Sequence, residues 1–353
     1  MTYTQTGRII KMTGGLYTVR LDCTSDTPTP LDGIPLDGTP LDGIPLDGTP
    51  LDGQTVECRA RGSFRHEHTS PLVGDRVTVQ YDHTSFVTDG EGHAVPSADR
   101  TGLMIAGILP RRNSLIRPPL ANVDVMLVVI AAASPDPDIP TIDKLLSILE
   151  FNRIEPVIVI GKSELDAESA TSLAALYGGA GYRTFVLSCH TGEGVEDFSR
   201  FAHTELCGKI TSVAGASGAG KSTLLNTVFS ALNLVTGNIS EKIGRGKNTT
   251  RHTELFDLPC EGGNPAERGY IADTAGFSLL DFERFDFFDL DDLAATFREF
   301  RPLLDGCRYT DCTHTTDEGC AIVAAVRDGR IAPSRHASYR ELYTTLKEKK
   351  RWK

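Results

Sequence analysis

The sequence predicts a multidomain α/β protein, and three observations along its 353 residues carry that prediction. Short strand patterns without helices between them occupy the first third of the chain. Strand–helix alternation around a glycine-rich loop follows, and a helical segment with clustered cysteines comes last. Domains usually span roughly 100–200 residues, so we expect two or three of them. The changes of pattern place the expected boundaries at 1–115, 116–290 and 291–353.

Composition and charge exclude several broad classes of protein. Hydrophobic residues make up 40% and charged residues 24% of the chain, which excludes a largely disordered or fibrous protein. The longest apolar run, Val125 to Ala133, is too short to span a bilayer as a helix. The first ten residues lack the pattern of a secretory signal, so we expect a cytoplasmic protein with no membrane partner. The net charge of −11 opposes indiscriminate binding to nucleic acid.

The N-terminal segment is predicted to be a small antiparallel barrel or sandwich, because it has short β-branched and apolar runs separated by Gly, Asp and Pro. The predicted strands are Gly7–Lys11, Leu16–Leu21, Thr55–Ala60 and Arg76–Tyr81. The tetrapeptide Pro-Leu-Asp-Gly recurs five times between Pro30 and Gly53. Proline in every copy blocks a helix, so we expect an acidic, turn-rich insertion in a hairpin loop.

The middle segment alternates buried strands with helices, which predicts a mostly parallel sheet with helices on both faces. The expected strands are Val123–Ile130, Pro156–Ile160, Thr184–Leu187 and Ile210–Ala214. The expected helices are Ile142–Phe151, Glu168–Tyr177 and one beginning near Lys221 whose apolar side chains share a face.

A phosphate-binding loop follows the strand Ile210–Ala214 and opens the next helix. The pattern G-x-x-x-x-G-K-[ST] is complete, and the candidate nucleotide-binding residues are Gly215, Ala216, Ser217, Gly218, Ala219, Gly220, Lys221, Ser222 and Thr223. Its glycines let backbone N–H groups converge on a β-phosphate. Lys221 is expected to bridge the β- and γ-phosphates, and the Ser222 hydroxyl to bind Mg²⁺. The motif indicates a nucleoside triphosphate without specifying the base.

Two downstream segments complete the predicted phosphate site. The sequence Asp273-Thr-Ala-Gly276 is a D-x-x-G motif, in which Asp273 would hold Mg²⁺ through water and the Gly276 N–H would sense the γ-phosphate. Residues 244–251 are polar and glycine-rich, as a switch loop requires. Thr250 is our candidate for the second Mg²⁺-binding hydroxyl, and Thr249 is the next choice.

Two candidate base-recognition loops lie upstream of the phosphate loop. Small GTPases recognise guanine with N-K-x-D after one strand and S-A-K after the next. Here the corresponding stretches after two strands contain the residues Gly161, Lys162, Ser163 and Glu164, and then Ser188, Cys189 and His190. Their position before the phosphate loop reverses the usual order of these motifs.

A metal site is predicted near the C-terminus, where Cys307, Cys312, His314 and Cys320 lie within fourteen residues. Three thiolates and one imidazole suit a tetrahedral Zn²⁺, and this full ligand set leaves no open position for catalysis. We therefore assign the zinc a structural role. The cysteines outside the cluster are interpreted as buried apolar residues, as is common for free thiols: Cys23, Cys58, Cys189, Cys207 and Cys260.

The order of these motifs resembles the circularly permuted GTPases of the RsgA (YjeQ/YloQ) family. Further similar stretches are Cys58–Gly62, Val73–Val77, Ala121–Asp124 and Thr191–Gly194. The resemblance implies an oligonucleotide-binding-like (OB-like) barrel, a permuted P-loop domain, Mg²⁺ with GTP, and one structural zinc. It also implies a monomer that hydrolyses GTP, binds the small ribosomal subunit and its 16S-type rRNA, and assists late maturation of that subunit. The Pro-Leu-Asp-Gly tract has no counterpart in this resemblance.

Several residues depart from the family pattern and leave two alternatives open. Gly161 replaces asparagine and Glu164 replaces aspartate in N-K-x-D, which permits a P-loop NTPase of relaxed base specificity. Asn248 stands where the family often has histidine, Ala275 replaces proline, and Phe277 cannot orient an attacking water. Asn248 and Phe277 permit a non-catalytic, nucleotide-gated scaffold for rRNA, but Phe277 also fits slow intrinsic hydrolysis that the subunit accelerates.

Basic residues of the barrel and of the C-terminal tail are the candidate RNA contacts. Arginines around Phe64 could bind phosphates while the ring stacks on a base. The arginines considered are Arg59, Arg61 and Arg65, with Arg111, Arg112 and Arg117 at the domain junction. The tail Lys347–Lys353 is expected to add to this surface.

Overall fold

The computed structural model describes residues 2–22, 29–30, 53–62, 64, 69–82, 86–88, 94–96, 103–115, 119–229, 253–258, 260, 268–273, 289–316 and 318–350. Contacts between Cα atoms divide the chain into two compact units. The first comprises residues 1–123, 246–257 and 262–275. The second comprises residues 124–245, 258–261 and 276–353.

The first unit is built around a closed five-stranded barrel. Its chain begins with the strands β1 (Thr2–Thr13), β2 (Leu16–Leu21), β3 (Thr29–Pro30), β4 (Thr55–Ala60), β5 (Arg76–Asp82), β6 (Phe86–Thr88), β7 (Ala94–Pro96), β8 (Met104–Ile108), β9 (Ser114–Leu115) and β10 (Leu120–Ala121). The order β1-β2-β4-β8-β5 closes because β1 also pairs with β5. The expected OB-like barrel is therefore confirmed, and the sandwich alternative was wrong.

Strand β1 closes the barrel because it is long enough to pair on both sides. Its first half, from Thr2 to Arg8, pairs with β5, and residues from Gly7 to Thr13 pair with β2. At the crossover, a Cβ on Gly7 would lie 2.6 Å from the Arg20 carbonyl oxygen, so only glycine permits this approach. Burial alternates along β2, as expected for a strand with one face in a barrel core.

The second unit contains a parallel sheet with the order β13-β12-β11-β14. Its elements are β11 (Val125–Ala131), α1 (Ile139–Phe151), β12 (Glu155–Gly161), α2 (Ala167–Gly179), β13 (Arg183–Val186), α3 (Val195–Glu205), β14 (Ile210–Ala214) and α4 (Lys221–Val228). Every residue of β11 and β14 is buried, as expected for central strands of a covered parallel sheet. The predicted α/β alternation is confirmed.

Two further strands follow α4 along the chain, β15 (Thr253–Leu258) and β16 (Gly269–Asp273). Strand β15 pairs with barrel strand β1, with Lys11 opposite Glu254. The Lys11 ammonium donates a 3.0 Å hydrogen bond to the Glu254 carboxylate. The segment between α4 and β15 lies outside the described residues.

The C-terminal region is helical and belongs to the second unit. It contains α5 (Leu293–Thr296), α6 (Ala321–Arg327) and α7 (Pro333–Lys350), with 3₁₀ turns at Leu290–Asp292 and Arg301–Gly306. Its core is a cluster of buried apolar side chains that includes Leu293, Phe297, Phe300, Ile322 and Tyr339. Within the described part of the chain, no helix has both the length and the hydropathy needed to cross a membrane.

Candidate nucleotide-binding site

The phosphate loop lies between the buried strand β14 and helix α4, as the sequence predicts. Gly215, Gly218 and Gly220 have φ angles of +150°, +80° and +99°, and glycine adopts such angles without steric cost. A Cβ on Gly215 would lie 2.3 Å from the Val129 carbonyl oxygen. The loop is therefore pressed against the end of β11, while Ser222 at the start of α4 is exposed to an incoming ligand.

Lys221 folds back over the phosphate loop. Its ammonium donates hydrogen bonds of 2.9 and 2.8 Å to the carbonyl oxygens of Gly215 and Ala216. Burial lowers the pKa of this ammonium, because desolvation disfavours the charged form. A phosphate group at the loop would supply an opposite charge to this partly buried cation.

The first candidate base loop follows β12. Lys162 adopts a φ of +57°, which turns the chain sharply after the strand, and its ammonium donates a hydrogen bond to the Ser134 carbonyl oxygen. Ser163 is 7% exposed, whereas Glu164 is exposed. The loop thus presents the Glu164 carboxylate to solvent on a fixed backbone.

The second candidate base loop follows β13, the neighbour of β12 in the parallel sheet. Ser188 is fully buried, and its hydroxyl accepts a 3.0 Å hydrogen bond from the Thr191 N–H. A hydrogen bond from Ser188 is the main cause that lowers the pKa of Glu164, and the charges of His190 and Lys162 act in the same direction. The two loops therefore meet at an ionised carboxylate.

The base loops also adjoin the phosphate loop and α4. A Cβ on Gly161 would lie 3.8 Å from the Ala219 carbonyl oxygen. The half-buried Cys189 forms a hydrogen bond with Thr227 of α4, although burial raises the pKa of the Cys189 thiol overall. The structure therefore brings three loops to the carboxyl ends of parallel strands, beside the point between β11 and β14 where the strand order reverses. Ligands of open α/β sheets bind at such points.

Three residues of this site were missed by the sequence analysis. Ser134 accepts the Lys162 hydrogen bond, Pro135 lies 3.8 Å from the position of a Cβ on Gly218, and Thr227 contacts Cys189. The sequence could have indicated Ser134 and Pro135, because residues 134–138 follow the buried strand β11. Loops after such strands often contribute to ligand sites in α/β sheets. No local pattern indicates Thr227.

Part of the predicted phosphate site lies outside the described residues. This applies to Thr249, Thr250 and Gly276, and to the departures Asn248, Ala275 and Phe277. Asp273 is the last residue of β16, but its side chain is not among those described. Their assigned roles stay predictions.

The four predicted metal ligands come together in the C-terminal region. The Cys307 Sγ atom lies 3.4 Å from His314 Nδ1 and 3.9 Å from Cys320 Sγ, and Cys320 Sγ lies 3.7 Å from His314 Nδ1. All four ligand atoms, including Cys312 Sγ, fall within 4.8 Å of one another. A tetrahedral zinc with Zn–S bonds of ~2.3 Å separates its sulfur ligands by about 3.8 Å, so this donor set fits the ion.

The structure corrects the predicted RNA-facing cluster on the barrel. Phe64 is only 8% exposed, so its ring packs in the core and cannot stack on a base. Arg111 donates two hydrogen bonds of 2.7 Å to the fully buried Asp75. Its guanidinium is therefore paired with a buried carboxylate of the barrel. Arg59 and Arg61 are exposed as expected, whereas Arg65 and Arg117 lie outside the described residues.

Comparison with known proteins identifies the family that has this arrangement. Residues 108–283 match the family model described as RsgA GTPase, and residues 51–86 match the RsgA N-terminal domain. The small ribosomal subunit biogenesis GTPase RsgA of Caldanaerobacter subterraneus is 38% identical over 297 residues, which are 84% of this chain and 90% of that protein. Its namesake in Agathobacter rectalis is 34% identical over 348 residues, 98% of this chain and 100% of that protein.

Two solved structures share the fold. YjeQ from Thermotoga maritima superposes with a TM-score of 0.67 at 27% identity, covering 97% of this chain and 98% of that one. YloQ, titled a circularly permuted GTPase, gives a TM-score of 0.65 at 26% identity, covering 98% and 96% of the two chains. The placement of both base loops before the phosphate loop agrees with such a permutation.

Proposed function

The chain belongs to the RsgA GTPase family and is a P-loop GTPase, and from that premise we propose that it assists late maturation of the small ribosomal subunit. In this proposal it binds the subunit with GTP, hydrolyses the GTP to GDP and phosphate, and then leaves. The subunit accelerates the turnover. The two relatives described above are named small ribosomal subunit biogenesis GTPases, and their matches cover 84% and 98% of the chain.

The observation that carries the proposal is the meeting of the two base loops with the phosphate loop. Lys221 and the backbone N–H groups of residues 215–220 would hold the β- and γ-phosphates. Ser222, Thr250 and Asp273 would hold Mg²⁺, and the Gly276 N–H would sense the γ-phosphate. When bound, the ion would neutralise charge that develops on the phosphates.

Guanine recognition is assigned to Glu164. An exposed carboxylate with a lowered pKa is ionised at neutral pH and can accept hydrogen bonds from guanine N1–H and N2–H. Adenine offers no such pair of donors on its pairing edge. Ser188, Cys189 and His190 support this carboxylate, so we expect preference for GTP although Gly161 lacks an asparagine side chain.

Zinc is assigned to Cys307, Cys312, His314 and Cys320. The ion would join the segment before α6 to its N-terminal turn, where the Ala321 N–H already donates to Cys307 Sγ at 3.4 Å. Metal analysis of the purified chain should give one zinc per molecule. Cys312→Ser should lose the zinc and melt at lower temperature, because in such sites binding energy is folding energy. Full zinc content in Cys312→Ser would contradict the assignment.

The partner surface is proposed to be ribosomal RNA of the 16S type, contacted by the exposed Arg59 and Arg61 and by the basic tail. The net charge of −11 makes affinity depend on local docking and not on bulk attraction. We place the active protein in the cytoplasm as a monomer. The domain boundaries at residues 115 and 290 stay predictions, and so does the hairpin-loop position of the acidic tract.

The decisive experiment measures hydrolysis of GTP and ATP, each with and without purified small subunits. We expect selective turnover of GTP on the order of 10⁻⁴ to 10⁻³ s⁻¹ for the free protein and a marked increase with the subunit. Lys221→Ala should abolish turnover. Lys209→Ala is the matched control, because Lys209 precedes β14 at the end opposite the phosphate loop.

Three results would contradict the proposal. Equal use of ATP would favour an NTPase of relaxed base specificity. Subunit binding without hydrolysis would favour a nucleotide-gated scaffold. Turnover of roughly ten per second without the subunit, the rate of a fully activated GTPase, would exclude the subunit as activator.

A further inference from the structure

Two cysteines outside the nucleotide and metal sites are joined in the second unit. Cys207 and Cys260 form a disulfide with their Cα atoms 5.7 Å apart, within the range of roughly 4.4–6.8 Å that such a bond requires. Both side chains are only partly buried and their sulfurs are bonded to each other, so the interpretation of these cysteines as buried apolar residues was wrong. Among the cysteines that the structure describes, no other pair is bonded.

The backbone holds both positions through buried neighbours. Cys207 lies in the turn between α3 and β14, directly after the fully buried Leu206. The Lys209 N–H donates a 3.2 Å hydrogen bond across this turn to the Leu206 carbonyl. Cys260 follows Leu258, which is 2% exposed and ends β15. Burial of Leu206 and Leu258 does not involve the sulfur atoms. We therefore expect the two thiols to stay close together after reduction.

The surroundings of Cys207 can also accommodate a free thiol in the reduced protein. The Cys207 Sγ lies 3.1 Å from the His203 carbonyl oxygen, which can accept a hydrogen bond from the free thiol. Cys58 provides the contrast, because it is 1% exposed and burial raises the pKa of its thiol to about 12. A thiol of that kind does not form the thiolate that thiol–disulfide exchange needs.

We propose that Cys207 and Cys260 are a reversible redox modification site whose oxidant is a low-molecular-weight disulfide. One cysteine thiolate attacks the small disulfide, forms a mixed disulfide and releases one small thiol. The second cysteine thiolate then attacks the mixed disulfide and releases the other small thiol. Two protein S–H bonds are lost and one S–S bond forms. The two electrons reduce the small disulfide to two thiols.

Oxidation would cross-link the two ends of the chain segment that contains the phosphate loop. The two cysteines are 53 residues apart, and the phosphate loop, α4 and the predicted switch loop lie between them in sequence. A cross-link across a loop of this length strongly lowers the conformational entropy of the unfolded chain. The oxidised protein should therefore melt higher than the reduced protein, by about 5 °C or more for a domain of this size.

The test compares the protein after equilibration with oxidised or with reduced glutathione. Free thiols are blocked with N-ethylmaleimide, tryptic peptides are mapped by mass spectrometry without reduction, and melting temperature and zinc content are measured on the same samples. Cys207→Ser and Cys260→Ser each remove one partner. Cys23→Ser is the matched control, since it removes a cysteine and keeps the pair.

We expect the oxidised wild type and Cys23→Ser to give a peptide pair linked through Cys207 and Cys260, and to melt higher than when reduced at equal zinc content. Both partner variants should lose the linked pair and the redox-dependent shift. The proposal is overturned if oxidised glutathione leaves both cysteines open to N-ethylmaleimide, or if glutathione stays attached to either one. It is also overturned if the melting shift persists in Cys207→Ser.

Discussion

The guanidinium of Arg335 donates a 2.6 Å hydrogen bond to the Asp143 carboxylate, and both side chains are buried, at 1% and 0% exposure. Arg335 lies on α7 of the C-terminal region and Asp143 on α1, the helix that begins beside the phosphate loop. Glu299 provides a second carboxylate at 2.7 Å. Burial by itself would lower the pKa of Arg335, but the charges of Asp143 and Glu299 outweigh burial and raise it. This ion pair therefore fixes the C-terminal region to the nucleotide-binding part of the second unit.

Loss of the arginine should destabilise the second unit strongly. Arg335→Met leaves the Asp143 carboxyl buried without its partner, at a position where burial raises the pKa of this carboxyl. The loss should cost about 3–5 kcal/mol, measurable as a lower urea midpoint. Arg330→Met is the control, because Arg330 and its partner Asp328 are both more than half exposed. Adding Asp143→Leu to Arg335→Met should recover part of the loss, since the buried carboxyl without a partner is then absent. Equal midpoints for Arg335→Met and the control would show that the pair contributes nothing.

Substitutions of Arg111, which pairs with Asp75, and of the exposed Arg59 should have different effects on stability and on binding. Arg111→Met should lower stability by about 3 kcal/mol, because the fully buried Asp75 would lose the guanidinium that donates to both of its carboxylate oxygens. Arg59→Met should leave stability unchanged and weaken binding to the small subunit, with a smaller dependence of affinity on salt. Unfolding curves and binding titrations at several salt concentrations measure both effects. Weakened binding by a fully folded Arg111→Met would contradict the structural role.

Guanine affinity should depend on the charge of Glu164. Replacing the carboxylate in Glu164→Gln should weaken GDP binding roughly 10- to 150-fold, the equivalent of a hydrogen bond to a charged group. Glu164→Asp keeps the charge and serves as the control. Because hydrogen bonding from Ser188 lowers the pKa of Glu164, affinity should stay constant from pH 8 to 6 and fall only in more acidic buffer. Ser188→Ala should move that fall to higher pH, and an unchanged profile would argue against the Ser188 hydrogen bond.

The phosphate loop should not accept a side chain at Gly215. In Gly215→Ala the new Cβ would lie 2.3 Å from the Val129 carbonyl oxygen at a φ of +150°, so the loop must move away from β11. We expect GDP binding to be lost in calorimetry while circular dichroism stays that of a folded protein. Gly178→Ala is the matched control, because nothing lies within 4 Å of its Cβ position in α2. Wild-type affinity in Gly215→Ala would show that the loop geometry is not required.

Local sequence patterns predicted the secondary-structure elements and the sites whose residues are neighbours in the chain. Unbroken apolar runs predicted buried strands such as β11 and β14, because both faces of a central parallel strand need apolar side chains. The phosphate loop could be predicted because its glycines, Lys221 and Ser222 are neighbours in sequence. The Cys/His cluster could be predicted for the same reason, since its four side chains lie within fourteen residues.

Contacts between polar side chains that are distant in sequence could be recognised only in the folded protein. Asp143 and Arg335 are 192 residues apart, and nothing near either residue marks the other as its partner. The same holds for Arg111 with Asp75 and for Cys207 with Cys260. Such contacts form when whole helices and strands pack together. The burial that results determines whether an arginine pairs with a buried carboxylate or stays exposed to solvent. For that reason Phe64, which a local pattern assigned to RNA, packs in the barrel core, and the partly exposed Arg111 pairs with the buried Asp75.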